Sequence, residues 1–305
     1  MTGKLPERYF QELEQIQANI SEQQIELAIP RALNLYEEYP TFDANKLLVH
    51  ALLLSDEDDL ALSYLTDFDQ QYRNKIELID DVLNTLLTHH AFVLAWQLNH
   101  RLNLEKNNFI ESAEQNYQLN NAKKIAELTR QVSSVGTLAL EEQSVILKQA
   151  KYLPLSSYRI AVQLVLQDPD VWQPVKSDIL QTLKLAGVTD KIVVTGTFQA
   201  KLPVNLATID NEIQGSKFQQ IKEIVWKQIG AIDPVQWQIA EKELFLQSAY
   251  LYPNADQIIQ NPDIWADLLI QKLKGESPIV NDEVAQQLLE IQRQLDQKIH
   301  EDLGF

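Results

Sequence analysis

Cysteine is absent from this chain of 305 residues. Without it, disulfides, thiolate metal sites and a thiol nucleophile are excluded. Glycine and proline are scarce as well, at 8 and 11 residues, and so few turn-forming residues are typical of a mostly helical protein with short connections. Long apolar runs are also missing, and the amino terminus, MTGKLPERYFQELEQ, has no apolar core of a signal peptide. We therefore expect a cytoplasmic protein that does not cross a membrane.

Basic residues are few relative to acidic ones. The 26 lysines and arginines stand against 43 aspartates and glutamates, which gives a net charge of −17 at pH 7. Such a chain repels the phosphate backbone of nucleic acids and anionic lipid surfaces. We therefore expect neither nucleic acid nor a membrane as a partner, and we interpret the charge mainly as a source of solubility.

A repeat occupies the first hundred residues. The dipeptide Leu-Ala recurs at spacings of 33 and 34 residues, and a large apolar residue follows seven residues after each alanine. The positions are Leu27-Ala28, Leu60-Ala61 and Leu94-Ala95, followed by Leu35, Phe68 and Leu102. A small residue lets two helices approach closely, and the large residue fills the gap against the next helix. With partner helices predicted at 43–54 and 76–88, this period indicates stacked helical hairpins.

These hairpins resemble the tetratricopeptide repeat family, whose unit has about 34 residues, with a small residue early in its second helix and a proline at its end. The three alanines and Pro40 carry the resemblance. Pro30 falls inside a second helix, where we expect it to kink the helix or delay its start. The repeats are divergent, because the family's aromatic and glycine positions in the first helix are replaced by Leu48, Val49, Leu52, Val82, Leu83 and Leu86.

The resemblance implies a function and a site. The first helices of such repeats line an inner groove that holds a segment of another protein, so we expect a non-catalytic scaffold for protein–protein interaction. Carried onto the register of this chain, the groove residues are Lys46, His50, Asp80 and Asn84. Separately, Trp172 follows the helix break at Asp168-Pro169 and is predicted to be an exposed anchor.

The rest of the chain is predicted to be helical around one strand element. Helices continue from 107 to 190 without the repeat register, and KIVVTGTFQAKLPV, residues 191–204, predicts a β-hairpin. Its turn lies at Gly196 or at 198–200, and Pro203 is expected on an outward edge. The expected fold is therefore all-α, an α–α superhelix with one small hairpin, in four segments: 1–106, 107–190, 191–210 and 211–305.

The second half carries a further resemblance. LQTLKLAG, the hairpin and QSAYLYPNADQIIQNPDIWADLL follow one another, with the pairs Tyr252-Pro253 and Trp265-Ala266. This order is similar to a group of cytosolic tetratricopeptide-repeat proteins of low-GC Gram-positive bacteria, in which a short strand element follows amino-terminal repeats. The resemblance implies binding of other proteins.

Candidate chemical sites are few. His89 and His90 would point about 100° apart on a helix, so we interpret them as a helix-end or solvated pair and not as metal ligands. The acidic run of Glu57, Asp58 and Asp59 after Ser55 is typical of a helix start. The sequence contains no nucleophile elbow and no phosphate-binding glycine loop. We expect no cofactor, no metal and no catalytic residue.

Two alternatives to the simple scaffold stay open. An enzyme could hold its site in the cleft between the repeat half and the carboxy-terminal half, near the hairpin. The last helix, predicted at 281–301, either covers the end of the helical array or joins two copies in a weak homodimer. Its apolar stripe comprises Val284, Leu288, Ile291, Leu295 and Ile299.

Overall fold

The structure is a computed structural model that describes residues 5–230, 232–278, 280 and 282–303, apart from the side chains of residues 140 and 141. Its fold is all-α with one small two-stranded antiparallel hairpin, which confirms the predicted fold class. The described chain divides into two compact units. Unit one comprises residues 5–129 and 145–158, and unit two comprises residues 130–144 and 159–303.

The helices of unit one follow the predicted order. They are α1 (Glu7–Ser21), α2 (Ile25–Glu38), α3 (Phe42–Leu53), α4 (Asp58–Leu65), the short α5 (Asp69–Arg73), α6 (Ile76–Thr88) and α7 (Phe92–Leu102). Three helices that contribute residues to both units follow: α8 (Asn107–Ser133), α9 (Leu140–Ala150) and α10 (Leu155–Gln167). Within α8, Asn121 has a non-helical φ of −128°, which marks a kink in this helix.

Small residues bring the helices of unit one together. Ala28, Ala61 and Ala95 are at most 1% exposed, because α1 packs on α2, α3 on α4, and α6 on α7. α2 also packs on α3, which links the first hairpin to the second. Leu35 and Leu102 are buried in the same apolar core. The repeat in the sequence therefore marks the contacts between helices, as predicted.

Pro30 lies inside α2 without delaying it. The helix begins at Ile25, ahead of the proline, so the expected later start is wrong. Proline has no N–H to donate to the carbonyl four residues earlier, and its ring crowds that carbonyl. Because the Pro30 side chain is exposed, packing does not offset this cost.

We therefore expect Pro30→Ala to raise the free energy of unfolding by about 2 kcal/mol, since proline costs about 3 kcal/mol relative to alanine in a helix interior and recovers about 1 kcal/mol by stiffening the unfolded chain. Circular dichroism during urea denaturation would measure the change. Pro6→Ala, at the position before α1 where a missing N–H costs nothing, is the control and should not stabilise. An equal response of both variants would contradict this account of Pro30.

The helices of unit two pack around Trp265, which is fully buried. Asp233 and Asn261 cap α13 and α15, since each side chain accepts hydrogen bonds from two backbone N–H groups. The helices are α11 (Gln173–Leu185), α12 (Ser216–Val225), α13 (Pro234–Leu251), the short α14 (Ala255–Ile258), α15 (Pro262–Leu273) and α16 (Glu283–Leu303).

The apolar stripe of α16 is covered by its own unit. Leu288, Leu295 and Ile299 are buried in the core around Trp265, and the remaining members of the stripe are half-buried against it. Residue 281, where the sequence predicts this helix to begin, lies outside the described residues. The stripe therefore joins α16 to the rest of unit two.

The hairpin consists of β1 (Lys191–Thr195) and β2 (Lys201–Asn205). Gly196 N donates to Ala200 O, and Leu206 N donates to Asp190 O. Hydrogen-bonded pairs alternate along an antiparallel ladder, so Pro203, which lies opposite Val193, falls at a non-bonded pair with its ring nitrogen outward. This arrangement agrees with the expected outward edge, and it leaves that edge without a donor at its centre.

The hairpin is tied to unit two by buried polar groups. Thr195 Oγ1 donates to Gln167 O at 2.8 Å, and Thr197 Oγ1 donates to Tyr250 O. Lys176 of α11, 1% exposed, donates from Nζ to Thr195 O at 3.0 Å. Burial lowers the pKa of Lys176 to about 8, because a charged ammonium loses its hydration inside the protein.

This lysine predicts a pH dependence of stability. Between the folded-state pKa of about 8 and the ordinary value of 10.5, the unfolded chain binds more protons at this position than the folded chain. The unfavourable contribution of Lys176 therefore shrinks as the pH rises through this window. We expect the unfolding free energy of the wild-type chain to gain up to about 3 kcal/mol relative to Lys176→Met across it. Urea denaturation of both chains at several pH values, followed by tryptophan fluorescence, would measure the difference. A constant difference would rule out a buried, titrating lysine.

Candidate functional site

Two helices of unit one frame a cavity with a volume of about 480 Å³. α3 supplies one wall and α6 the other, with Gln17 of α1 and Tyr72 of α5 contributing at the sides. The walls are largely apolar, and the apolar residues include Leu47, Val49, Leu53, Leu78 and Val82. A cavity of this size and character is typical of sites that take a small ligand or the side chains of a peptide.

The sequence of α6 divides its surface into two faces. Ile79, Leu83 and Leu86 recur at helical spacing and are buried in the core of unit one. A second set, also three and four residues apart, consists of polar side chains and lines the cavity. These side chains are Asp81, Asn84, Thr85 and Thr88. One helix therefore packs the core and presents polar groups to the cavity.

Three of the four groove residues predicted from the repeat register line this cavity: Lys46, His50 and Asn84. Asp80 does not, because it pairs with Lys106 at 3.1 Å, and its neighbour Asp81 lies in the lining instead. Consecutive residues on a helix differ by about 100°, so a one-residue shift in register changes the face. Counting back from Asn84 in steps of three would have found Asp81 from the sequence.

The charges in the cavity are unevenly compensated. Lys46 Nζ lies 3.6 Å from the Asp43 carboxylate, one turn away on α3. Burial by the cavity walls lowers the pKa of His50, and the nearby Asp81 carboxylate acts in the opposite direction. His50 is nevertheless exposed to solvent on one side. Within the described part of the chain, no ion pair involves Asp81.

A hydrogen bond to a buried carboxylate lies at the edge of the cavity. His89, the residue after α6, places Nδ1 2.9 Å from Oδ1 of Asp58, whose side chain has no exposure. His89 Nε2 lies 3.3 Å from the carboxylate of Asp56, which is 80% exposed. Asp58 Oδ2 is buried without a hydrogen-bond partner. Burial raises the pKa of Asp58, and the hydrogen bond from His89 opposes that rise.

The acidic run marks the start of α4, as predicted, with Asp58 and Asp59 in its first turn. Glu57, and not Ser55, occupies the capping position of α4, and it makes no side-chain capping bond. Ser55 Oγ donates to Leu52 O at the end of α3. The interpretation of His89 as a helix-end residue fits its position, but its buried partner was missed. No spacing rule joins residues 58 and 89, because the two residues meet only through the tertiary fold.

His89 also borders a second cavity of unit one, with a volume of about 340 Å³. The aromatic rings of His90 and Tyr117 lie there with their centroids 4.2 Å apart, and Tyr152 forms a further part of the wall. Burial raises the pKa of Tyr152 to about 12, and the carboxylates of the acidic run add to the effect. The imidazole of His89 therefore lies between two cavities of the same unit.

Trp172, predicted to be an exposed anchor, is half-buried in unit two. Its indole N–H donates to the hydroxyl oxygen of Tyr250 at 2.6 Å. The Tyr250 hydroxyl donates in turn to Asp302 at 2.8 Å. Trp172 also packs against the core around Trp265, so its ring and its donor are both used within the unit.

The described residues contain no group of three or more histidine, aspartate and glutamate side chains placed to hold a metal ion. None of the described helices combines the length and apolar character needed to cross a membrane.

The pair between Asp58 and His89 predicts a stability effect. His89→Ala leaves a buried carboxylate without a partner on either oxygen, so we expect a loss of about 2 kcal/mol or more in the free energy of unfolding, measured by urea denaturation. Asp58→Asn together with His89→Ala should recover part of the loss, because the double variant buries no charge. Asp56→Asn, at an exposed partner of the same ring, should change stability by less than about 0.5 kcal/mol. Equal losses in His89→Ala and Asp56→Asn would show that the buried pair contributes nothing.

Comparison with known proteins leaves the chain without a match. No protein-family model, no curated protein and no solved structure is similar to it at a significant level. The resemblance to tetratricopeptide repeats is therefore carried by the repeat spacing, the three alanines and Pro40 alone, and function has to be argued from the geometry of the site.

Proposed function

We propose that unit one is a tetratricopeptide-like scaffold that binds a flexible segment of another protein in the cavity between α3 and α6. The observation that carries the proposal is the meeting of Lys46, His50 and Asn84 in the lining of one cavity. The repeat register of the sequence alone predicts these residues, and they lie on two different helices.

The composition of the cavity supports a peptide as the ligand. Apolar residues of α3 and α6 can bury the side chains of a peptide, and the polar groups of both helices can fix its orientation by hydrogen bonds. The two helices belong to successive hairpins, so a segment lying between them contacts both repeats. Binding across a repeat boundary is the mode by which helical-repeat proteins hold extended partners.

A selection from a random peptide library displayed on phage would test the proposal. Peptides are enriched on the immobilised full chain, synthesised with a fluorescent label and titrated by fluorescence anisotropy. We expect the double variant His50→Ala and Asn84→Ala to bind the enriched peptides at least about tenfold more weakly, because both side chains line the cavity. The matched control removes the same residue types from exposed positions of α7 and α8, His100→Ala and Asn116→Ala, and should bind like the wild-type chain.

Circular dichroism would establish that both double variants keep the helical content of the wild-type chain. Enrichment of no peptide, or equal affinity of every enriched peptide for the wild-type chain and the cavity variant, would overturn the proposed function.

A further inference from the structure

Along α6, the cavity between α3 and α6 presents more hydrogen-bond acceptors than donors. Thr85 Oγ1 donates its hydrogen to Asp81 O, and Thr88 Oγ1 donates to Asn84 O, each at 2.9 Å. Both hydroxyl hydrogens are therefore committed to the helix backbone, and only the lone pairs of these oxygens remain for a ligand. With the Asp81 carboxylate and the amide oxygen of Asn84, this face forms a row of oxygen acceptors.

The side chains of α3, on the opposite wall of the cavity, do not neutralise the negative charge of this row. Lys46 pairs with Asp43 on its own helix, and burial lowers the pKa of His50, which favours the neutral imidazole. A neutral imidazole offers one acceptor and one donor. The Asp81 carboxylate, which acts on His50 across the cavity, thus carries the one formal charge of the lining that has no ion-pair partner among the described residues.

We propose, resting on the function proposed above, that the cavity binds an arginine side chain of a basic segment in the partner protein. The guanidinium faces Asp81 and the acceptor row of α6, and the aliphatic stem of the arginine lies against Leu47, Leu78 and Val82. Arginine fits this surface because it has five N–H donors, no acceptor and a permanent positive charge.

Charge complementarity extends beyond the cavity. The chain carries a net charge of −17, which attracts a basic segment at long range and repels an acidic one. An acidic segment that used Lys46 and His50 would have to displace Asp43 and lie near the uncompensated Asp81. The observations therefore favour the basic segment over the acidic one.

The enriched peptides test the identity of the bound side chain. In each peptide that loses affinity for the cavity variant, every arginine is replaced singly by citrulline, which has nearly the same shape and no charge. We expect one such replacement to weaken binding by at least about tenfold, and replacement of the same arginine by lysine to weaken it less than citrulline does, because lysine keeps the charge without the planar array of donors.

Variants of the protein identify the group that the arginine contacts. Asp81→Asn keeps the shape of the side chain and removes its charge, and it should weaken the arginine peptide by at least about tenfold while leaving the citrulline peptide nearly unchanged. Glu26→Gln removes one negative charge from an exposed position of α2 and should affect neither peptide by more than about twofold at physiological ionic strength.

The outcomes separate this inference from the function on which it rests. Peptides that need His50 and Asn84 but contain no arginine, or that bind through aspartate or glutamate, would overturn the arginine site and leave the scaffold intact. Equal weakening of the arginine and citrulline peptides by Asp81→Asn would also overturn it. Absence of any peptide that senses the cavity variant would overturn both proposals.

Discussion

A helical hairpin cannot bury its own apolar face, and this constraint underlies the construction of unit one. Each hairpin must lay that face on the next one, so the alanines at positions 28, 61 and 95 are buried where helices meet. The helix surfaces that make these close contacts are not accessible to a ligand. The first helices α3 and α6 keep a free face, and the cavity between them follows from the stacking.

α6 contributes both to the apolar core and to the lining of the cavity. Its apolar residues recur three and four apart on one side, while its polar residues recur with the same spacing on another. The residue after the end of the helix, His89, contacts the buried carboxylate of Asp58 and borders both cavities. Losing that pair would leave a charge in the interior, so the position of the α6 end is coupled to the burial of Asp58. The wall of the candidate site is thus anchored by electrostatics at one end and by apolar packing along its length.

Much of the fold could be predicted from local patterns. Helical spacing located α3 and α6 to within a residue, and the Asp-Pro and Asn-Pro pairs marked the starts of α13 and α15. The hairpin was predicted from a β-branched run. The sequence left two possible positions for its turn, Gly196 or residues 198–200, and in the structure residues 196–200 connect the two strands. The features that could not be predicted are those determined by contacts between residues distant in sequence. Asp58 was correctly placed at a helix start, but its contact with His89 was not predicted, and the half-buried state of Trp172 depends on Tyr250, far along the chain.

At the candidate site, too, the sequence predicted local features but not the contacts between side chains. The repeat register selected Lys46, His50 and Asn84, which line one cavity, since the face on which a residue lies is a local property of a helix. It could not show that Lys46 is neutralised by Asp43 while Asp81 has no ion-pair partner, because pairing depends on side-chain positions. The strongly acidic composition suggested solubility and nothing more specific. At the cavity, the negative charge is that of the Asp81 carboxylate. On the same face of α6, the hydroxyl groups of Thr85 and Thr88 donate their hydrogens to backbone carbonyls. The net charge is therefore a property of the whole chain, whereas the preference for a donor-rich, cationic side chain arises from a few atoms on one face of α6.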